Sequence, residues 1–221
     1  MYQIADLATI RSGSPFRERI VHEPGGRFRV VQGKDIGSDG TLGLDVMVRL
    51  SEVPGKGMPD VLRAGEVALQ TRGSSYRAAI VPQSDIPMVA AGSLYVLAPD
   101  ASRIDPEFLV FYLNLPGTQA TLRQLATGST ILNLRRSAVE HLEVPLPSLS
   151  DQHRLVELGR LVRKQSDIAE RLNQLRLQEL HALALERAKK AGSMAMPVAS
   201  TRAGKRGNLT HRLEHELGRE D

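Results

Sequence analysis

The sequence predicts an α+β protein in which a compact mixed domain, residues 1–147, is followed by a long projecting α-helix, residues 148–191. Two observations support this division. In the first part, short apolar and β-branched runs alternate with turns rich in Gly, Pro and Ser, which is typical of short strands and helices. Between 148 and 191 proline is absent and leucine recurs at helical spacing. Residues 192–221 form a third segment, a flexible basic tail with a candidate short helix at its end.

The mixed domain contains runs with the composition of strands and runs with the periodicity of helices. The strand-like runs are FRVV (28–31), VMVRL (46–50), VALQT (67–71), AAIV (78–81) and LYVLA (94–98). The helical runs are PEFLVFYLN (106–114) and TQATLRQLA (118–126). A third short helix is predicted from Leu134 to Leu142, with Asn133 as its N-cap. Together these elements indicate one compact mixed domain.

The long helix has a marked start and needs a partner. Ser148 and Asp151 predict a capping box at its start, and Gly192 with Pro197 marks its end. At 1.5 Å per residue the helix is roughly 60 Å long, so most of it projects from a domain of this size. Its apolar stripe follows the a/d heptad spacing through Leu158, Leu161, Ile168, Leu172 and Leu175, widened by Val162 and Leu183. Because the chain has no second helix of this length, we expect pairing in a coiled coil with a helix from another chain.

The composition excludes several classes of protein. The 221-residue chain has no cysteine, which excludes a disulfide framework, a thiolate metal site and a cysteine nucleophile, and favours a reducing compartment. No apolar run reaches membrane-spanning length, and the N-terminal segment carries Asp6 without a sustained apolar core. We therefore expect a cytoplasmic protein that does not contact membranes. His211 and His215 stand at i, i+4 but lack a third ligand nearby, so no metal site is predicted.

Charged residues are unevenly distributed along the chain. The formal net charge is +4, and two windows contain no acid, one between Glu66 and Asp85 and the other between Glu107 and Glu140. The basic residues of these windows are Arg72, Arg77, Arg123, Arg135 and Arg136. Such windows are typical of a surface that binds an acidic partner, and equally of partly buried segments that lack surface acids.

Two turns within these windows are candidate binding sites. Residues 71–77 follow a predicted strand and offer hydrogen-bonding side chains at Arg72, Ser74, Ser75, Tyr76 and Arg77. In the second window, Ser129 and Thr130 precede Arg135 and Arg136, which lie in the first turn of a predicted helix. The helix dipole repels cations there unless an anion lies between them, and a phosphate would fit. The alternative is a surface turn whose arginines face away.

Four phrases of the sequence, taken in order, resemble one half of a type I restriction-modification specificity (S) subunit. They are DLATIRSGSPF, AGEVALQTRG, IDPEFLVFYLN with TGSTILNL, and LEVPLPSLSDQHRLVEL, and they cover roughly residues 1–190. The resemblance implies a target recognition domain that reads DNA sequence, followed by a conserved helix that acts as a spacer and docks methyltransferase subunits. It also implies that this chain performs no catalysis and binds no cofactor. Methyl transfer from S-adenosylmethionine to a flipped adenine would belong to the modification partner.

The chain has one such unit, whereas a complete S subunit resembles two units in tandem with antiparallel helices. Because the long helix already requires a partner, the resemblance implies a half-size subunit that forms a homodimer or pairs with another half-size subunit. Two recognition domains would then read the half-sites of a bipartite inverted repeat. The expected partners are double-stranded DNA and DNA adenine methyltransferase subunits, and a restriction (translocase) subunit stays an open question. Arg72 and Arg77 would contact guanine edges or phosphates, and Lys34 is a further candidate for contact with the DNA backbone.

Two other function classes are weighed against this interpretation. A nuclease requires paired carboxylates and a lysine, and Pro59, Asp60 and Glu66 are present, but Ala68 stands where the lysine is needed. No catalytic residue is therefore assigned. The alternative function is a structural adaptor that recruits a partner through its long helix, with incidental basic loops. DNA binding by an adaptor would be weak and independent of salt.

Overall fold

The computed structural model describes residues 1–55, 58–129 and 132–194. The chain divides into two compact units, Met1–Ile168 and Ala169–Asp221. The strands are β1 (Tyr2–Gln3), β2 (Ala8–Ser12), β3 (Phe28–Val31), β4 (Val48–Leu50), β5 (Val67–Gln70), β6 (Ala78–Ile80), β7 (Met88–Ala90), β8 (Leu94–Pro99) and β9 (Glu143–Val144). The α-helices are α1 (Pro106–Asn114), α2 (Pro116–Leu125), α3 (Arg136–Glu140) and α4 (Leu149–Met194). The predicted fold class, a mixed α+β domain followed by a long helix, is confirmed.

The first unit has three hydrophobic cores, and one of them lies between its two larger sheets. One sheet is antiparallel with the order β2-β8-β5-β6, and another has the order β4-β3-β7 with β3 parallel to β7. Val67 and Leu69 of β5 enter the core that contains Phe108 of α1, whereas Ala68 enters the core that contains Val31 of β3. Strand β5 is therefore buried on both faces. This explains why VALQ is a continuous apolar run without the alternation of a half-exposed strand.

Most predicted elements of the mixed domain are confirmed, and the differences have local causes. The predicted strand 46–50 is shortened to β4, because Leu44–Val46 forms a 3-10 turn before it. Strands β1, β2, β7 and β9 have no counterpart in the prediction, and β1 and β9 have only two residues each. β2 contains the charged Arg11, and β7 has only three residues, which is too short to show a period of two.

Helix α3 is shorter than predicted. It spans Arg136–Glu140 rather than residues 134–142, and its N-cap is Arg135 rather than Asn133. The cause lies in tertiary structure, because the Leu134 N–H donates to Thr71 O at 2.8 Å and the Leu134 side chain is completely buried. Asn133 exchanges backbone hydrogen bonds with Thr127. The backbone at Leu134 is therefore bound to a residue remote in the sequence, and α3 begins only at Arg136.

Helix α4 begins where the sequence predicts. The Asp151 N–H donates to Ser148 Oγ at 3.2 Å, and Ser148 Oγ donates to Asp151 Oδ2 at 2.7 Å. The predicted stop at Gly192 is wrong by a short margin, because the helix continues to Met194. Pro197 and the remainder of the predicted tail lie outside the described residues. None of the described helices is long and apolar enough to cross a membrane.

Gly159 interrupts the helix-forming composition of α4 for a packing reason. A Cβ placed on Gly159 would lie 2.5 Å from Cε2 of the Phe111 ring. Glycine therefore allows α4 to pack closely against α1. The sequence alone shows only that glycine lowers the helix propensity at this position. Gln152 and Val156, which precede Gly159 at helical spacing, are also buried on this side of α4.

Within the first unit, the apolar stripe of α4 faces away from the mixed domain. Leu158, Leu161 and Ile168 are exposed, and the helical periodicity puts them about 140–160° around the helix from Gln152 and Val156. Every side chain in residues 164–190 is exposed. The predicted stripe residues, Leu158, Leu161, Val162, Ile168, Leu172, Leu175 and Leu183, are between 45 and 63 % exposed. The described part of the chain therefore leaves this stripe uncovered.

Candidate nucleic-acid interface

The two acid-free windows of the sequence meet in space. Residues 71–77 form the loop that connects β5 to β6, and Arg72 pairs with Asn133 in an antiparallel β-bridge. Next to this bridge, the Leu134 N–H donates to Thr71 O at 2.8 Å and the Gly73 N–H donates to Leu132 O at 3.2 Å. The reading loop, residues 71–77, is therefore adjacent to the segment before α3 that holds Arg135 and Arg136, which belong to the predicted phosphate turn.

The surface around this contact carries exposed arginines without carboxylate partners. We call it the arginine surface and define it by the exposed residues Arg72, Ser74, Arg77, Arg123, Ser129 and Arg135. Among the described residues, none of its arginines lies within ion-pair distance of an acid. Arg123 Nε donates a long hydrogen bond of 3.4 Å to Ser74 O, which links α2 to the loop. Unpaired guanidinium groups on one face are what an anionic partner requires.

The two arginines of the predicted phosphate turn are not equally free to bind an anion. Arg136 donates from Nε to Glu140 Oε1 at 2.7 Å, so its charge is already paired along α3. Arg135 is exposed and unpaired within the described chain, and Ser129 is also exposed. Because α3 has only five residues, its dipole adds little to anion binding. Thr130 lies outside the described residues.

Tyr76 does not occupy the surface position that the sequence suggests. Its side chain is completely buried in the core with α1 and α2, and its O–H has no hydrogen-bond partner among the described residues. Burial raises the pKa of this phenol, and the Arg123 charge opposes that rise. Ser75, beside it, is half-buried. In this conformation Tyr76 supports the loop from below and is not available to DNA.

The loop is held from below by a residue that sequence reasoning missed. Gln119 of α2 is 7 % exposed, and its Nε2 donates to Tyr76 O at 2.7 Å and to Leu113 O at 2.8 Å. Its Oε1 accepts from the Tyr76 N–H at 3.1 Å. The only sequence signal was a polar residue at a helix position that packs inward, which does not identify its partner.

Lys34 lies in a short turn near the start of the loop. The turn Gly33–Asp35 is a 3-10 helix, and a Cβ on Gly33 would lie 3.0 Å from Cδ of Gln70, the last residue of β5. Lys34 is exposed, whereas Asp35 is buried and accepts from the Gln32 N–H at 2.8 Å. Burial raises the pKa of Asp35, opposed by that hydrogen bond and by Lys34. The carboxylate beside Lys34 is therefore turned into the domain and leaves the ammonium group free at the surface.

The carboxylates considered for a nuclease site have another role. Arg11 Nη1 and Nη2 each lie 2.7 Å from an oxygen of Glu66, and Arg11 Nε lies 2.6 Å from Asp60 Oδ2. The Arg11 guanidinium thus lies between the two carboxylates, where a metal ion bound by both of them would have to lie. No cluster of three metal-ligating side chains occurs in the described ranges.

Solved structures share the fold of this chain. A chain of a type I R-M system, solved in a study of complex assembly and conformational transition, has a TM-score of 0.58 at 20% identity, over 86% of this chain and 43% of that chain. The HsdS subunit from Thermoanaerobacter tengcongensis has a TM-score of 0.51 at 16% identity, over 76% and 38% of the two chains. The S subunit from M. genitalium has a TM-score of 0.48 at 20% identity, over 76% and 40%. The present chain therefore spans about two fifths of the length of these proteins.

The family itself is shown by the sequence. Among curated protein sequences, none matches the chain significantly. The family model of the type I restriction modification DNA specificity domain, in contrast, matches residues 1–178, which include the mixed domain, the arginine surface and α4 as far as residue 178. The chain belongs to the type I restriction modification DNA specificity domain family.

Proposed function

We propose that this chain is the DNA-recognition subunit of a type I restriction-modification-like methyltransferase complex, and that the arginine surface binds double-stranded DNA. The observation that carries this proposal is the union of the two acid-free windows at the Arg72–Asn133 bridge. An incidental lack of acids in two separate segments would not explain why both segments form one face. Membership of the specificity family supports DNA as the acidic partner.

We infer that the arginines of this surface make two kinds of contact with DNA, one with phosphates and the other with base edges. Arg135 lies on the short turn before α3 and is suited to a phosphate, which positions the protein without reading sequence. Arg72 and Arg77 lie at the two ends of the loop, with Ser74 and Ser75 between them. Arginines on a protruding loop can reach guanine edges in the major groove, and serine hydroxyls can adapt to either base. Lys34 would contact the DNA backbone near the loop.

The geometry of α4 supports pairing with another chain. Its inner face, with Gln152 and Val156, packs on the mixed domain, whereas the a/d stripe lies on the opposite face and stays exposed. Docking on its own domain thus does not cover the stripe. We propose that a second half-size subunit, identical or related, covers it in a coiled coil. Two recognition domains would then read a bipartite inverted repeat.

The second half of α4 offers a further apolar face. Leu177, Leu180 and Leu185 are 50–66 % exposed and lie off the a/d stripe that contains Leu172 and Leu175. A helix that is apolar around most of its circumference contacts more than one neighbour. This supports docking of DNA adenine methyltransferase subunits on the helix, with S-adenosylmethionine bound and methyl transfer performed by those subunits. A restriction subunit would join the same cytoplasmic complex.

The experiment that tests the proposal is a titration of fluorescent duplex DNA of randomised sequence with the full chain at rising salt. We expect binding that weakens steeply with salt, because each arginine–phosphate contact releases counterions. Simultaneous replacement of Arg72, Arg123 and Arg135 by alanine should abolish it. The control variant Arg187→Ala removes an exposed charge that does not belong to the arginine surface, and it should bind as the wild type does. Binding that is independent of salt would instead favour the structural adaptor.

A further inference from the structure

A pair of side-chain amides covers the edge of the sheet beneath the reading loop. Strand β6 is an edge strand in the order β2-β8-β5-β6. On its open side, Asn114 accepts from the Ala78 N–H at 3.0 Å and donates to Ala78 O at 2.8 Å. Gln119 makes the same pair of hydrogen bonds with Tyr76, two residues earlier. Each amide therefore satisfies a backbone N–H and C=O as a neighbouring strand would.

The two amides act on different parts of the chain. Ala78 belongs to β6 and lies opposite Leu69 of β5, and the strand around it is hydrogen-bonded to β5, since the Gln70 N–H donates to Arg77 O at 2.9 Å. Tyr76 lies beyond the last residue pair of the β5–β6 ladder, inside the loop. There, the described hydrogen bonds to the backbone N–H and C=O of Tyr76 come from Gln119. Gln119 thus fixes the loop itself, whereas Asn114 reinforces a strand that is already in place.

The other end of the loop is fixed independently. Arg72 is bridged to Asn133, and the Gly73 N–H donates to Leu132 O at 3.2 Å. Between these two anchor points lie Ser74 and Ser75, with Arg77 immediately after Tyr76. Both ends of the loop are therefore anchored to other parts of the domain.

We propose that Gln119 is a positioning residue for sequence discrimination, because it presets the conformation in which the loop meets DNA. This inference rests on the proposed function. A preset loop loses little conformational entropy on binding, so its donors meet the correct base edges without reordering. A released loop can still place its arginines near phosphates, which tolerate many geometries. Loss of Gln119 should therefore reduce discrimination between sequences far more than overall affinity for DNA.

The test compares Gln119→Leu with Asn114→Leu, a matched control that removes the same kind of amide from the same edge strand. Sequence preference is measured by selecting bound duplexes from a randomised pool, and unfolding midpoints are measured in parallel. We expect both variants to be less stable than the wild type. Discrimination is the affinity for selected duplex divided by the affinity for randomised duplex, measured at a temperature where both variants are folded. Gln119→Leu should lower this ratio roughly three- to tenfold, and Asn114→Leu should lower it by less than about twofold.

Several outcomes would overturn the inference. Equal losses of discrimination in both variants would show that only general stability matters, and full discrimination in folded Gln119→Leu would show that the anchor is not needed.

If Gln119→Leu does not fold, Gln119→Glu keeps the acceptor for the Tyr76 N–H but loses both donated hydrogen bonds, and the same expectation applies. Hydrogen exchange of the Tyr76 amide in the free wild type gives a test without substitution, and exchange as fast as in an unprotected loop would contradict the anchor. Failure of the wild type to select any sequence would instead refute the proposed function.

Discussion

Arg72 forms an antiparallel β-bridge with Asn133, which lies at the centre of the backbone contacts that join two segments remote in the sequence, both without acidic residues. On one side of the bridge lies the loop between β5 and β6, and on the other lies the turn before α3. The contact places the arginines of the two segments close to one another on the surface of the domain. Its consequences for DNA binding are testable arginine by arginine.

Arg135 and Arg136 are adjacent, yet we expect different effects from their replacement. Arg136 is paired with Glu140 at 2.7 Å, whereas Arg135 is exposed and has no acid within ion-pair distance in the described chain. Arg135→Ala should weaken binding to all duplex sequences and lower the slope of log affinity against log salt by about 1. Arg136→Ala should have a clearly smaller effect. Anisotropy titrations at several salt concentrations measure both, and equal effects would show that the Glu140 pair opens on binding.

Tyr76→Phe tests whether the tyrosine contacts DNA, as its position in the loop suggests, or only supports the loop. Its O–H is buried without a described partner, so its removal should leave the free energy of unfolding unchanged or raise it by up to about 1 kcal/mol. DNA affinity and sequence preference should stay at wild-type values, because the ring still packs. Chemical denaturation and the selection of bound duplexes provide the two measurements. A loss of discrimination in a stable variant would mean that Tyr76 leaves the core and reads DNA.

Gly159→Ala should not give the stabilisation that helix propensity predicts. The new Cβ would lie 2.5 Å from the Phe111 ring, so either the ring or the helix must move. Gly117→Ala is the matched control, since a Cβ added to that helical glycine would meet no atom within 4 Å, and this variant should gain up to about 1 kcal/mol. We expect Gly159→Ala to be the less stable of the two by about 1 kcal/mol or more. In a Phe111→Leu background the penalty should shrink, and an unchanged penalty would remove the ring contact as its cause.

The structure shows which features the sequence could predict and why others escaped it. Local patterns were sufficient for the start of α4 at Ser148, for α1 and for the continuous apolar strand β5. The Arg11–Glu66 pair, the Gln119–Tyr76 anchor and the Arg72–Asn133 bridge join residues far apart in the chain. No local pattern encodes such contacts. The predicted helix start at Asn133 was wrong for the same reason, because the next residue, Leu134, is bound to Thr71, which is remote in the sequence.

Asp35 and Asp39 should respond to pH in opposite directions. Burial raises the pKa of Asp35, so its charged form is disfavoured in the folded state. Its stabilising contribution is complete below the ordinary aspartate pKa and is lost as the pH rises through the folded value. Asp35→Asn, which can still accept from the Gln32 N–H, should therefore be more stable than the wild type at neutral pH and equal to it in acid.

Asp39→Asn provides the opposite case. Burial alone would raise the pKa of Asp39, but the hydrogen bonds from Thr41 outweigh it and lower that pKa. The charged form therefore stabilises the fold above the ordinary aspartate pKa, and this stability is lost as the pH falls through the folded value. Asp39→Asn should be less stable than the wild type at neutral pH, with the difference vanishing in acid. Denaturation midpoints between pH 3 and 8 measure both variants, and the same sign for both would contradict the assignment.

Substitutions on the two faces of α4 should have different effects, one on the stability of the fold and the other on dimerisation. Val156 is 6 % exposed in the core beneath the helix, so Val156→Ala should lower the free energy of unfolding by about 1–3 kcal/mol. Leu161, on the opposite face, is 63 % exposed, so Leu161→Lys should leave the fold of the single chain intact and put a charge into the stripe. Light scattering across micromolar concentrations should show a dimer for the wild type and Val156→Ala, and a monomer for Leu161→Lys. A wild type that stays monomeric without any partner would restrict the pairing to a complex with another half-size subunit, and a dimer that survives Leu161→Lys would remove the stripe from the interface.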